Sequence, residues 1–81
     1  MAKVKIYSTS TCPYCKMAKD FLRANNIDFE DFDVAENPEA FNEMVEKSGQ
    51  MGVPVIDIDG KIIVGFDRIA ISEALGIGGI L

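Results

Sequence analysis

Cys12 and Cys15 flank Pro13 and Tyr14 in the stretch TSTCPYCKMAKDF, and they are the only cysteines among 81 residues. Two thiols at this spacing allow three kinds of chemistry: a redox-active dithiol, part of a metal site, or a short disulfide staple. A staple across so few residues closes almost no loop and would stabilise little. A structural zinc site takes four ligands, usually a second CxxC or a pair of histidines. The chain has neither, and it contains no histidine at all. Zinc or an iron–sulfur cluster would therefore need a second chain.

Redox chemistry needs only the two thiols and a way to hold one of them as thiolate. A free Cys has a pKa near ~8.5, and the thiolate is the reactive form. With no histidine to act as a base, the available device is a helix N-terminus. Pro13 sits where a first helical residue belongs, because its fixed φ suits that position and its missing N–H costs nothing there. The unpaired N–H groups and positive dipole end of a helix starting at Pro13 favour an anion at Cys12. Lys16 and Lys19 follow in the next turns and add positive charge. Cys15 lies one turn in, with fewer free N–H groups. Cys12 is therefore the expected nucleophile and Cys15 the resolving thiol that closes the Cys12–Cys15 bond.

The elements that must hold this pair are legible as patterns. Residues 3–8 alternate polar and apolar, with Val4 and Ile6 on one face, and predict a strand. Tyr14, Ala18, Phe21 and Leu22 follow i, i+4, i+7, i+8 and predict a helix ending at Asn25-Asn26. Residues 27–34 alternate again and predict a second strand. Asn37 caps a second helix with Pro38 at its first position. That helix continues through Phe41, Met44, Val45 and Ser48 to Gly49. Residues 54–58 and 61–66 are apolar runs joined by Asp59-Gly60, a strong signal for a hairpin with a type I′ turn. Asp67 caps a last helix carried by Ile71, Ala74 and Leu75, with Gly76 past its end. Residues 76–81 are too rich in glycine to read as helix and form a docked or frayed end.

The expected order is β-α-β-α-β-β-α over one domain, residues 1–81. The first two strands are parallel through a right-handed helical crossover. The net charge of −5 and the scattering of eight basic residues exclude a nucleic-acid phosphate footprint. There is no signal-peptide pattern, and no apolar run approaches the ~20 residues of a membrane span. These features lead to the cytoplasm as the expected compartment, where close cysteines are catalytic or metal-binding more often than structural.

The motif TCPYC after a first strand resembles the active site of dithiol glutaredoxins, which have the thioredoxin fold. Val53-Pro54 opens the third strand where that superfamily carries a cis-proline facing the active site. Gly65-Phe66-Asp67 falls at the turn with which glutaredoxins hold glutathione. Thioredoxins, by contrast, carry a Trp before a CGPC pair, and this chain has no Trp. The resemblance spans the whole chain in length and element order. It implies an α/β thioredoxin-like fold with a four-stranded mixed sheet flanked by helices. It implies a monomer that reduces protein disulfides and glutathione mixed disulfides, with glutathione as co-substrate and no metal. Its glutathione site would comprise the Val53 backbone, Pro54, the Phe66 backbone, the Asp67 side chain, and Tyr14 beside the sulfur.

The sequence departs from the glutaredoxin pattern at Gly52, where many members have Thr, and at Val64, where the first glycine of a Gly-Gly pair is usual. It departs again at Thr9, where a basic residue often meets the glycine carboxylate of glutathione. Lys16 and the helix N-terminus would replace that charge in part. A second reading is a glutaredoxin-like electron donor, for example to ribonucleotide reductase, recharged by thioredoxin reductase. A third is an iron–sulfur cluster bridging two chains, against which Pro13 argues, because cluster-binding relatives usually have a smaller residue there. A fourth is an interaction module with an idle CxxC.

Overall fold

The computed structural model describes residues 3–76. Their order is β1 (Val4–Ser8), α1 (Pro13–Ala24), β2 (Glu30–Asp33), α2 (Pro38–Ser48), β3 (Val55–Ile58), β4 (Lys61–Val64) and α3 (Arg68–Leu75). This is the β-α-β-α-β-β-α order and the thioredoxin-like fold expected from the sequence. The strands form one sheet in the order β2-β1-β3-β4. β1 and β2 are parallel, whereas β3 is antiparallel to both β1 and β4. The tail beyond Gly76 lies outside the described residues.

Local chemistry sets the helix ends. Asn37 and Asp67 cap α2 and α3 by accepting the Ala40 and Ala70 N–H groups at 3.1 and 3.0 Å. α1 ends in a Schellman turn: Asn26 is left-handed at φ 57°, the Ile27 N–H donates to the Leu22 carbonyl at 2.9 Å, and the Asn26 N–H to Arg23 at 3.0 Å. That turn explains why β2 starts at Glu30 and not at residue 27, since Ile27 belongs to the helix cap and packs on the core. β4 is likewise shorter than the expected 61–66, because Gly65 turns at φ 81° and donates its N–H to the Pro54 carbonyl at 2.8 Å. β3 begins at Val55, one residue later than expected, as Pro54 has no N–H for the ladder. The β3–β4 turn places Asp59 at φ 52° and Gly60 at φ 91°, the two positive φ values of a type I′ turn.

Strand alternation sorts the core into two layers. Val4, Ile6, Ile56, Ile58 and Ile63 pack with Ala18 and Leu22 of α1 and Ile71 of α3. Tyr7 and Val55 face the other way, against Val34 and against Ala40 and Met44 of α2. One feature of α1 corrects the periodicity reading. The inward stripe is Cys15, Ala18 and Leu22, whereas Tyr14 is 61% exposed. The helix is rotated so that its second cysteine, and not its tyrosine, enters the core.

The α2 face also holds a polar network. Buried Asp57 accepts from Lys47 Nζ at 2.7 Å and from the Gly60 N–H at 2.8 Å. Lys47 also donates to the Tyr7 hydroxyl at 3.1 Å and lies 3.4 Å from Glu43. Burial pushes the Asp57 carboxyl up, but Lys47 and Gly60 hold it below its ordinary range. The hydrogen bond to Asp57 raises Lys47 above the usual lysine value.

Removing Lys47 leaves the buried Asp57 carboxylate with the Gly60 N–H but no cation bonded to it. Lys47→Met is expected to lower unfolding free energy by about 1–3 kcal/mol. The pH dependence follows from the two directions. Asp57, depressed in the fold, contributes above its unfolded value near ~4, and that contribution fades as pH falls through its folded value. Lys47, raised in the fold, contributes fully below ~10.4 and loses its contribution as pH rises through its folded value. Urea titrations should show a flat wild-type-minus-Lys47→Met difference between about pH 5 and 9 and a shrinking one in acid. No difference at neutral pH would remove the network from the stability of the fold.

Candidate active site

The site lies at the C-terminal end of β1, where the chain leaves the sheet and enters α1. Cys12 is the N-cap of α1 in extended conformation, and its Sγ accepts the Cys15 N–H at 3.2 Å. A cysteine sulfur thus takes the place of the usual Ser, Thr or Asp oxygen. Cys12 is half-buried and Cys15 is buried, and both are free thiols. Burial first, and then the Cys12 sulfur beside it, push the Cys15 thiol up to about 12. A backbone hydrogen bond with Thr9 and the charge of Lys19 work in the opposite direction.

Of the expected binding residues, Val53 is the one whose backbone lies within hydrogen-bonding distance of this sulfur. The Val53 carbonyl lies 3.9 Å from Cys12 Sγ. The Val53–Pro54 peptide is cis and Pro54 is fully buried. Tyr14 is exposed on the first turn of α1. Phe66 is held by edge-to-face packing on Phe21 at 5.9 Å between ring centroids. It fixes the turn in which Asp67 caps α3 through Oδ1. An open groove of about 680 Å³ runs beside this turn, lined by Met17, Phe66, Asp67, Arg68 and Ile69. Lys16, expected to add positive charge near the site, lies at the start of α1. Its ammonium bonds Asp20 at 2.9 Å on the exposed side of α1.

The family model described as Glutaredoxin matches residues 4–63. The chain belongs to the glutaredoxin family. It is 51% identical to an uncharacterised glutaredoxin-like 8.6 kDa protein in the rubredoxin operon of Clostridium pasteurianum, over 89% of this chain and 96% of that one. It is 38% identical to glutaredoxin 3 of Escherichia coli K12, over 94% of this chain and 92% of that protein. Its fold superposes on the crystal structure of an Archaeoglobus fulgidus glutaredoxin with a TM-score of 0.83, at 30% identity, covering 93% of this chain and 87% of that one. This family membership makes the protein a glutaredoxin-like thiol–disulfide oxidoreductase, and the Cys12–Cys15 pair supplies the two thiols such chemistry uses.

Two polar clusters had no place in the sequence reading. One is Tyr7–Lys47–Asp57, whose signal was an acid inside the apolar run Val55-Ile56-Asp57-Ile58. The other joins Lys19 to Asp31 at 2.7 Å and Asp31 to the Ser8 hydroxyl at 2.8 Å. These residues are far apart in the sequence, and only the parallel β1–β2 pairing brings them together.

The contrast between the two thiols is directly measurable. Iodoacetamide at neutral pH should add one carbamidomethyl group to the reduced native protein, at Cys12. The Cys12→Ser variant should take up none until it is unfolded. Mass spectrometry showing rapid double modification of the native chain would mean that Cys15 is neither shielded nor held protonated.

Proposed function

We propose that this glutaredoxin-family protein is a glutathione-linked reductase of protein disulfides and glutathione mixed disulfides, working in a reducing compartment. The observation that carries the reading is the Cys12 sulfur seated on the first turn of α1 with the Val53 backbone beside it. In this reading the Cys12 thiolate attacks the glutathione sulfur of a mixed disulfide. A new Cys12–glutathione bond forms, and the substrate thiolate leaves and takes up a proton. A second glutathione thiolate then attacks that bond, releasing glutathione disulfide and restoring Cys12. With a protein disulfide, Cys12 forms the mixed disulfide and Cys15 displaces the substrate, closing Cys12–Cys15. Two glutathione molecules reopen that bond.

The roles follow from position. The Val53 backbone pairs with the glutathione peptide. The N–H groups at the start of α3 receive its γ-glutamyl carboxylate, and the second oxygen of Asp67 receives its α-amino group. Pro54 and Tyr14 wall the groove beside the sulfur. Lys16 replaces, in part, the basic residue that Thr9 does not supply. Its exposed pair with Asp20 is weak enough to break when an anion arrives.

One observation favours the second reading, an electron donor recharged by thioredoxin reductase. Thr9 carries no charge, and Lys16 must leave Asp20 before it can meet an anion. Loss of a charge-assisted contact costs about 1.5–3 kcal/mol of binding, enough to matter for a small anionic ligand.

The test is turnover of a small glutathione mixed disulfide with glutathione and glutathione reductase as the electron source. Turnover should vanish in Cys12→Ser and persist in Cys15→Ser, which should lose most reduction of protein disulfides. Asp67→Ala should raise KM for the glutathione substrate about 10-fold, consistent with a lost charged hydrogen bond, and leave kcat nearly unchanged. Negligible wild-type turnover, with activity supplied by thioredoxin reductase, would replace the first reading with the second.

A further inference from the structure

The buried Cys15 poses a chemical problem that the proposed dithiol cycle does not by itself solve. Cys15 must attack as a thiolate, yet it lies inside the protein, beside another sulfur, and burial outweighs the backbone contact with Thr9 and the charge of Lys19 that favour the charged form. The polar groups between α1 and the sheet come from three elements. From α1 come Cys12 and Lys19, and from the end of β1 comes the fully buried Ser8. From β2 comes Asp31, which pairs with Ile6 in the sheet register. Strand alternation puts Ile6, Ser8 and Asp31 on the same face, the one covered by α1.

Lys19 stands four residues after Cys15. Residues at that spacing on a helix are neighbours about 5–6 Å apart at Cβ. Its side chain is only 17% exposed, and its ammonium is fixed on Asp31 at 2.7 Å. Asp31 is itself held by the Ser8 hydroxyl at 2.8 Å. Lys16, by contrast, is an exposed residue on the outer side of the helix. Among the described residues Lys19 is the lysine of α1 that is largely withdrawn from solvent on the Cys15 side.

We propose that Lys19 is the positioning residue of the resolving step: anchored by Asp31 and Ser8, its ammonium stabilises the thiolate from which Cys15 attacks the Cys12 mixed disulfide. In that step the Cys15 sulfur bonds to Cys12 Sγ, the bond from Cys12 to the substrate sulfur breaks, and the substrate leaves as thiolate. The proton lost by Cys15 is balanced by the one the departing thiolate takes up. Lys19 keeps its proton throughout. This places Lys19 with Cys15, whereas the sequence pattern had grouped it with Lys16 as support for Cys12. The inference rests on the dithiol reading above, and not on glutathione as the electron source.

Stopped-flow reaction with dithiobis(nitrobenzoate) separates the two exchanges. Attack by Cys12 releases one nitrothiobenzoate, and attack by Cys15 on the resulting mixed disulfide releases the second. Lys19→Gln removes the charge and keeps a donor for Asp31. It should slow the second release by roughly ten-fold at neutral pH, as expected for loss of one unit charge at close range in a partly buried site. It should also move the pH dependence of that phase upward and leave the first release within about two-fold. Lys19→Arg should restore most of the second phase. The first phase reports that each variant is folded. A second phase unchanged in Lys19→Gln, a parallel fall of both phases, or a fall of the first alone would overturn the assignment. Absence of any second phase in the wild-type protein would overturn the dithiol reading and this inference together.

Discussion

The Cys15 N–H donates to the Cys12 sulfur at 3.2 Å because Cys12 is the residue that caps α1. A helix leaves its first N–H groups without partners, and a sulfur at the cap position meets that demand. The same turn then carries the chain inward. Pro13 fixes the first helical φ, Tyr14 is left on the surface, and Cys15 points into the core with Ala18 and Leu22 behind it. Two identical side chains thereby acquire opposite surroundings within one turn. The outer one meets N–H donors and solvent, and the inner one meets hydrocarbon. The contrast in burial between the two thiols is a property of the helix start.

The rest of the fold keeps that turn in place. β1 delivers the chain to the site from the middle of the sheet, flanked by β2 on one side and β3 on the other. β3 leads out of the Val53–Pro54 corner, and Gly65 at the end of β4 bonds the Pro54 carbonyl at 2.8 Å. Phe66, one residue on, is pinned by Phe21 of α1. The helix carrying the cysteines and the turn carrying Asp67 are thus coupled through one aromatic contact. On the far face, Lys47 ties α2 to Asp57 of β3 and to Tyr7 of β1. That network acts on sheet and helix together and touches neither cysteine.

Element order and most ends of the fold were legible because local chemistry writes them. Asn37, Asp67, Pro13 and Asp59-Gly60 each have one dominant structural use, and each is used that way. Strand ends were less legible. Ile27 and Gly65 look like strand residues in an alternating pattern, but a helix cap and a left-handed glycine claim them. The choice of Cys12 and Cys15 as the candidate pair rested only on spacing and context. The pair's surroundings needed the fold. Tyr14 and Cys15 both fit the start of an apolar stripe, and only packing against the sheet decides which one enters. Lys16 and Lys19 look alike in sequence, yet the parallel register of β2 on β1 sets Asp31 opposite Ile6 and draws one lysine inward. Asp20 keeps the other outside.

Burial of Cys15 acts on both halves of a redox cycle. When Cys15 attacks, its reluctance to ionise slows release of the substrate. When the Cys12–Cys15 disulfide is reduced, the half-buried Cys12 sulfur is the one an incoming thiolate reaches, so Cys15 must depart as thiolate. A thiol of high pKa is a poor leaving group. The same hydrocarbon wall therefore delays oxidation of the dithiol and protects the disulfide once formed. Recharging then depends on a reductant held in line at Cys12, and on whatever charge can reach the departing sulfur. Free collision with a small anionic thiol, at the surface of a chain of net charge −5, meets neither requirement. In the proposed cycle, a thiol bound against the Val53 backbone and the start of α3 would meet the first, and the Lys19 ammonium held on Asp31 would meet the second.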